Sequence, residues 1–196
     1  DERHARYSDI KTLQNVVNEF DNKELNIEGY PTDQLNQAVL EVGPDQYTLV
    51  PDEPNQITSD HGWDLTKHFD FVKKTIEPFK NTKTRISLFL DPDKNQIDLA
   101  VKLGVARIEL YTESYAVAFD QKNHAQVLEQ FMACADYALS LGLEVNAGHD
   151  LDLANLPAFV KKQNVDEVSI GHALIVESLL NGFEETIKKY VAICNP

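Results

Sequence analysis

Two segments of the sequence end in the same glycine–histidine pair. Residues 145–149 read Val-Asn-Ala-Gly-His and residues 168–172 read Val-Ser-Ile-Gly-His, with a helix-like segment between them. This form is typical of consecutive parallel strands in a β/α barrel, where the last two strands commonly hold a phosphate. Glycine lets a ligand approach the backbone, and a histidine such as His149 or His172 can move a proton near neutral pH. The pair predicts an enzyme that acts on a phosphorylated small molecule.

Six short apolar segments are predicted to be strands covered on both faces. They are Glu24–Glu28, Asp45–Val50, Arg85–Leu90, Ala106–Thr112, Leu143–Gly148 and Glu167–Gly171. Helical patterns separate them, at Ser8–Phe20, Thr32–Glu41, Asp64–Phe79, Asn95–Leu103, His124–Leu141, Leu153–Lys162 and Leu174–Ile193. Ser8 is the expected N-cap of the first helix, and Gly104 and Gly142 are the expected ends of two others. Strict alternation of strand and helix predicts a parallel sheet with right-handed crossovers.

This alternation leaves two ways to arrange the sheet. A doubly wound open sheet would bind ligand at a switch point, often beside a glycine-rich turn, but the sequence contains no GxGxxG or P-loop pattern. A barrel instead distributes polar residues over the ends of many strands. That distribution is present, at Glu28, Asp91, Glu109, His149 and His172. We therefore predict an α/β fold of the TIM (β/α)8 type.

Composition limits the class of protein. A chain of 196 residues with 42% apolar and 26% charged residues is expected to form one soluble domain over residues 1–196. A net charge of −14 argues against nucleic acid and membranes as partners, so local donors must hold any anionic substrate. The two cysteines do not suggest a disulfide framework, and no pattern predicts a metal site. Without a signal peptide or an apolar span, we expect a cytoplasmic protein.

Two glutamates are candidates for proton transfer. Glu28 could be a general base whose pKa is raised in a dry pocket, or a solvated strand end that caps the next helix. Glu109 lies between two apolar residues in mid-strand, which favours a buried and partnered carboxyl. Thr58 belongs to a long connection, Pro51–Trp63, of the kind that often forms a lid or a binding loop.

Segments along almost the whole chain resemble the pyridoxine 5'-phosphate synthase family. They are Asp1–His4, Asn26–Glu28, Leu49–Pro51 leading to Thr58, Ile86–Phe89, Ile108–Thr112, Glu144–His149 and Val168–Ala173. The resemblance implies condensation of 1-deoxy-D-xylulose 5-phosphate with 3-amino-2-oxopropyl phosphate to give pyridoxine 5'-phosphate, phosphate and water. It also implies general acid–base catalysis without a metal or redox cofactor, in a homo-oligomer that is an octamer in the family.

The resemblance also implies catalytic roles for three residues. Glu28 is then the general base, His149 the general acid, and Glu109 a stabiliser of charged intermediates.

Five further residues are implied to bind substrate. His4 and Thr58 would hold the deoxyxylulose phosphate. Gly171 and His172 would hold the aminoketone phosphate, with backbone N–H groups at the start of the following helix as donors. Asp150 stands where the family usually has a glycine that contacts phosphate through its backbone, and it is counted with them.

The resemblance further predicts that two barrel strands precede residue 1, so that six of eight strands lie within the chain. Residues 1–196 alone are then expected to be inactive, and poorly soluble or partly unfolded. Two other functions stay open at this point. One is a non-catalytic ligand-binding protein or pseudoenzyme on the same scaffold. The other is a different phosphate-binding barrel, such as an isomerase that uses Glu28 and His149.

Overall fold

The computed structural model describes residues 2, 4–52, 56, 58–161 and 164–195. Within them, six strands form one sheet: β1 (Asn26–Gly29), β2 (Gln46–Leu49), β3 (Arg85–Leu90), β4 (Arg107–Tyr111), β5 (Glu144–Gly148) and β6 (Glu167–Ser169). Each strand pairs in parallel with the next, in sequential order. All six predicted strands are therefore confirmed. The order has no switch point, which excludes the doubly wound alternative.

Helices connect the strands as the alternation predicted. They are α1 (Tyr7–Val17), α2 (Asp33–Val42), α3 (Leu65–Ile76), α4 (Lys94–Leu103), α5 (Glu113–Asp120), α6 (His124–Ser140), α7 (Leu156–Val160), α8 (His172–Asn181) and α9 (Phe183–Cys194), with a 3-10 turn at Glu77–Phe79. In the part of the chain described, no helix combines the length and apolarity needed to cross a membrane. Parts of three predicted segments lie outside the described ranges: Asp1 and Arg3 of Asp1–His4, residues 53–55 and 57 of the connection Pro51–Trp63, and Lys162 of Leu153–Lys162.

Several predicted helix boundaries were wrong. Arg6, not Ser8, is the N-cap of α1, and its N–H donates to Asp9 Oδ2 at 3.0 Å. The segment predicted as one helix to Ile193 is two helices, because Gly182 adopts a φ of +84° between α8 and α9. Helix α5 was not predicted, since its eight residues form a pattern too short to separate from the neighbouring strand. The segment predicted from Leu153 onward is helical only over α7.

The two faces of the sheet differ in polarity. On the outer face, buried side chains such as Tyr47, Leu88 and Val145 pack against the helices in the main hydrophobic core. On the inner face, Gln46, Ser87, Glu109 and Asn146 are also buried, together with further polar side chains. Alternation of side chains along each strand produces this division.

The sheet curls so that its first and last strands approach a common space. In a flat sheet, β1 and β6 would lie about 24 Å apart. Glu28 of β1 and His172, which follows β6, nevertheless line the same cavity. Below it, Arg107 Nη1 bonds both Gln46 Oε1 on β2 at 2.9 Å and Glu167 Oε2 on β6 at 2.8 Å. The architecture is therefore a curled, barrel-like α/β sheet.

Candidate active site

A cavity of about 620 Å³ opens at the C-terminal ends of the strands. Five predicted site residues are among those that line it, namely His4, Glu28, Thr58, His149 and His172. They come from the N-terminal segment, the end of β1, the β2–α3 connection, the residue after β5 and the start of α8. Parallel strands end at one edge, so residues distant in sequence converge there.

Glu28 faces this cavity from β1. Its side chain is exposed to the open cavity. Loss of bulk water around the carboxylate, with a smaller contribution from the negative charge of Asp52, raises the pKa of Glu28 to about 7. A carboxyl with this pKa can both accept and release a proton at neutral pH.

Glu109 lies deeper, in the middle of β4, and is 1% exposed. A Cβ atom on Gly148 would lie only 2.2 Å from Glu109 Oε1, so the glycine leaves the space that the carboxyl occupies. Burial and the nearby charge of Glu28 raise the pKa of Glu109 well above its ordinary value, opposed by a hydrogen bond from Ser169. The predicted burial of Glu109 is confirmed. It lies beneath the cavity rather than on its wall.

His149 is held in an unusual backbone conformation. Its φ is +82°, and its carbonyl accepts a hydrogen bond from the Thr112 hydroxyl. Its ring centroid lies 5.2 Å from those of Phe89 and Tyr111. Burial lowers the pKa of His149, opposed by the charges of Asp150 and Asp52. The lowered pKa favours the neutral imidazole.

Two predicted substrate-binding residues do not line the cavity, although each is next in sequence to one that does. Asp150 is exposed, with a φ of +57°, and its carbonyl accepts a bond from Asn155 Nδ2 at 2.9 Å. This left-handed conformation is one that favours glycine. Gly171 is the N-cap of α8, so it precedes N–H groups that can bind an anion.

The two outer histidines of the site are close together. The ring centroids of His4 and His172 lie 5.9 Å apart, edge to face. The curl of the sheet thus brings the segment before α1 against the start of α8.

Sequence reasoning gave no role to three further residues around the cavity. Asp52 and Ser59 line the cavity, and Ser59 Oγ donates to Asp52 Oδ2 at 2.6 Å. Tyr111 packs against His149. The strand-end rule could have found Asp52, which follows β2 closely, and alternation along β4 could have found Tyr111 two residues after Glu109. Asp91, which that rule did select, instead accepts the Gly62 N–H at 3.2 Å in a loop contact.

Among the described residues, no group of three or more His, Cys, Asp or Glu side chains is arranged to hold a metal ion.

The sequence is similar to that of a known protein family. The sequence model of the family described as Pyridoxal phosphate biosynthesis protein PdxJ matches residues 1–196. A protein of Christiangramia forsetii named pyridoxine 5'-phosphate synthase is 50% identical over 98% of this chain and 80% of its own length. A protein of the same name from Agrobacterium fabrum is 45% identical over 99% of this chain and 79% of its own length.

A solved structure of low sequence identity shares the fold. The 3-keto-L-gulonate-6-phosphate decarboxylase from Vibrio cholerae superposes with a TM-score of 0.62 over 95% of this chain and 78% of that chain, at 13% identity. At this identity the likeness concerns the fold alone.

Proposed function

The chain belongs to the family described as pyridoxal phosphate biosynthesis protein PdxJ, and we propose that it catalyses the synthesis of pyridoxine 5'-phosphate. The reaction joins 1-deoxy-D-xylulose 5-phosphate to 3-amino-2-oxopropyl phosphate and releases phosphate and water. Imine formation, enolisation, elimination and ring closure all require proton transfers. The observation that supports this best is the convergence of Glu28, with a pKa of about 7, and His149 in one cavity.

Glu28 and His149 divide the proton transfers in this proposal. Glu28 takes a proton from carbon or nitrogen as general base, since half of its carboxyls are ionised near pH 7. His149 acts as general acid towards departing oxygen atoms. Because burial favours its neutral form before substrate binds, it must gain its proton in the complex, where a phosphate dianion favours the imidazolium. Glu109, buried below, stabilises the charged intermediates.

Local donors hold the two phosphorylated substrates against a net charge of −14. His4 and Thr58 bind the deoxyxylulose phosphate. Gly171 and His172 bind the aminoketone phosphate, since they begin α8 and the N–H groups of a helix N-terminus attract anions. Asp150, whose backbone has a conformation suited to glycine, contributes its backbone rather than its carboxylate.

The curl of the sheet supports a finer assignment of the fold. We assign the six strands to one domain, an eight-stranded (β/α) barrel in which β1 and β6 pair with two further strands. By family resemblance the protein is a cytoplasmic homo-oligomer, an octamer. Expression of residues 1–196 beside a version with its natural upstream sequence tests whether the first is inactive or poorly soluble.

The test of function measures pyridoxine 5'-phosphate formed from both substrates by the protein. Glu28→Gln keeps the shape of the side chain and removes the base, so turnover is expected to fall about 10²–10⁴-fold. Glu24→Gln is the matched control, because Glu24 lies four residues earlier and pairs with Arg85 away from the cavity.

Four results would contradict the proposal or part of it. No product from either protein would contradict the synthase, and binding of both substrates without turnover would indicate a pseudoenzyme. Isomerisation of one substrate alone would indicate a different barrel enzyme. Near-wild-type turnover in Glu28→Gln would remove Glu28 from the mechanism.

A further inference from the structure

Tyr111, the last residue of β4, forms part of the wall around the acid histidine. Its ring centroid lies 5.2 Å from that of Phe89 and 5.2 Å from that of His149. The residue is 6% exposed and packs with Val50 and Phe89 in a small cluster separate from the main core. These contacts explain an aromatic ring at this position, but a phenylalanine could make them equally well. The hydroxyl therefore needs its own explanation.

The Tyr111 hydroxyl reaches from β4 to the connection between β2 and α3. It donates a hydrogen bond to the backbone carbonyl of Ser59 at 3.1 Å. Ser59 is held a second time through its side chain, which donates to Asp52 Oδ2 at 2.6 Å. Thr58 directly precedes Ser59 and lines the cavity. The two bonds to Ser59 consequently restrict where Thr58 can lie.

We propose that Tyr111 is a positioning residue that sets the affinity of the site for the substrate held by Thr58. It acts through the Ser59 carbonyl and does not touch the reacting atoms. The inference rests on the proposed function, in which Thr58 binds the deoxyxylulose phosphate while Gly171 and His172 bind the aminoketone phosphate. A residue that acts through Thr58 must affect the first substrate and spare the second.

A purely structural tyrosine would behave differently. If the hydroxyl only satisfied a buried carbonyl, its removal would lower the melting temperature and change both substrates alike or neither. Selectivity between the two substrates is thus the readout that separates the two roles.

The experiment compares Tyr111→Phe with the wild type in steady-state kinetics, each substrate being varied while the other is saturating. The variant keeps the ring and removes only the hydroxyl. KM for 1-deoxy-D-xylulose 5-phosphate is expected to rise about three- to tenfold, as for the loss of one hydrogen bond, with kcat and the other KM changed less than about twofold. Calorimetric titration with the same substrate should show an equal rise in Kd.

Two further variants sharpen the result. Tyr47→Phe is the matched control, because Tyr47 is equally buried and its hydroxyl donates to Asn36 at 3.0 Å on the outer side of the sheet. It should leave both KM values unchanged. In the double variant Tyr111→Phe/Thr58→Ala, KM should equal that of Thr58→Ala alone, since the two residues act as one unit.

The inference is overturned if Tyr111→Phe leaves KM and Kd for the deoxyxylulose phosphate unchanged, or raises both KM values equally. Additive effects in the double variant would overturn it as well. These outcomes leave the proposed function intact, provided that the wild type forms pyridoxine 5'-phosphate. Absence of that product in the wild type would instead contradict the proposed function, and the calorimetric titration would still test Tyr111.

Discussion

Glu24, two residues before β1, and Glu28, within β1, lie four residues apart, and their chemistry differs. Glu24 accepts a hydrogen bond from Arg85 Nη2 at 2.5 Å, which lowers its pKa. Glu28 faces Asp52 and Glu109 instead, and loss of water raises its pKa to about 7. One residue type thus gives an anion at one end of the curled sheet and a proton carrier at the other. Loss of water is the main cause at Glu28, and the hydrogen bond from Arg85 is the main cause at Glu24.

The same contrast runs along β4. At its lower end, Arg107 bonds Glu144 at 2.6 Å and Glu167 at 2.8 Å. Two residues later, Glu109 is buried beneath the cavity with a raised pKa. At the lower end, the charged side chains form ion pairs that hold the curled sheet together. At the upper end, Glu109 has no such ion pair with a described residue, and its carboxyl can take part in proton transfer. A substitution at the lower end should therefore reduce stability, and a substitution at the upper end should reduce turnover.

The largest expected effect comes from breaking the lower cluster with Arg107→Met. The change leaves Glu144 and Glu167 without their shared cation. Breaking a fully buried pair costs ~3–5 kcal/mol. We expect the free energy of unfolding to fall by about 1–3 kcal/mol. This is less than for a fully buried pair, because the side chains of Glu144 and Glu167 remain 49% and 41% exposed. Chemical denaturation measures it.

Arg85→Met is the control for this prediction. Arg85 is more exposed than Arg107, at 20% against 9%, and its close partner Glu24 is 53% exposed. Its loss should cost less, about 1 kcal/mol or below. Equal stability of Arg107→Met and the wild type would show that the lower cluster does not hold the sheet.

The sequence was sufficient to predict where polar groups meet, but not which of them are paired. Alternation and apolar runs located all six strands, and the ends of parallel strands must converge, so Glu28, His149 and His172 could be placed together. The flanking apolar residues also predicted that Glu109 is buried. These inferences depend on local patterns, which the chain carries within a few residues.

Pairing depends on curvature, which local patterns do not specify. Arg85 and Glu24 are 61 residues apart in sequence, and nothing near either residue indicates the other. The same applies to Asp52, whose effect on Glu28 depends on the meeting of two strand ends. The break at Gly182 was missed for another reason, since apolar periodicity continues on both sides of the glycine and hides a change in helix direction.

A smaller effect is expected at the boundary between the two ends, from Gly148→Ala. The new Cβ would lie 2.2 Å from Glu109 Oε1 and 3.0 Å from Ser169 Cβ, so the Glu109 carboxyl must move. We expect turnover to fall about tenfold, equivalent to about 1.4 kcal/mol in the activation barrier. The kinetic assay of both substrates measures the change.

A double variant tests the steric explanation. Glu109→Asp shortens the side chain and removes the atom that the new methyl group meets. Adding Gly148→Ala to the Glu109→Asp variant should therefore reduce turnover little further. If the two effects on turnover multiply, the glycine matters for a reason other than the space it leaves for Glu109.

The smallest expected effect concerns the pH dependence of stability, to which Glu24 and Glu28 should contribute in opposite directions. The folded-state pKa of Glu28 is about 7, above the ordinary value of 4.5, so its contribution to stability is fully present below pH 4.5 and is lost as pH rises through 7. The folded-state pKa of Glu24 is lowered, so its contribution is present above pH 4.5 and is lost as pH falls through the lowered pKa.

Thermal melting measures both effects. The melting temperature of Glu28→Gln should rise relative to that of the wild type between pH 5 and pH 8. Glu24→Gln should be less stable than the wild type at pH 7, by less than about 1 kcal/mol because the pair is exposed, and should approach it below pH 4. If the stabilities of both variants, relative to the wild type, change in the same direction with pH, the pKa values of the two glutamates are not shifted in opposite directions.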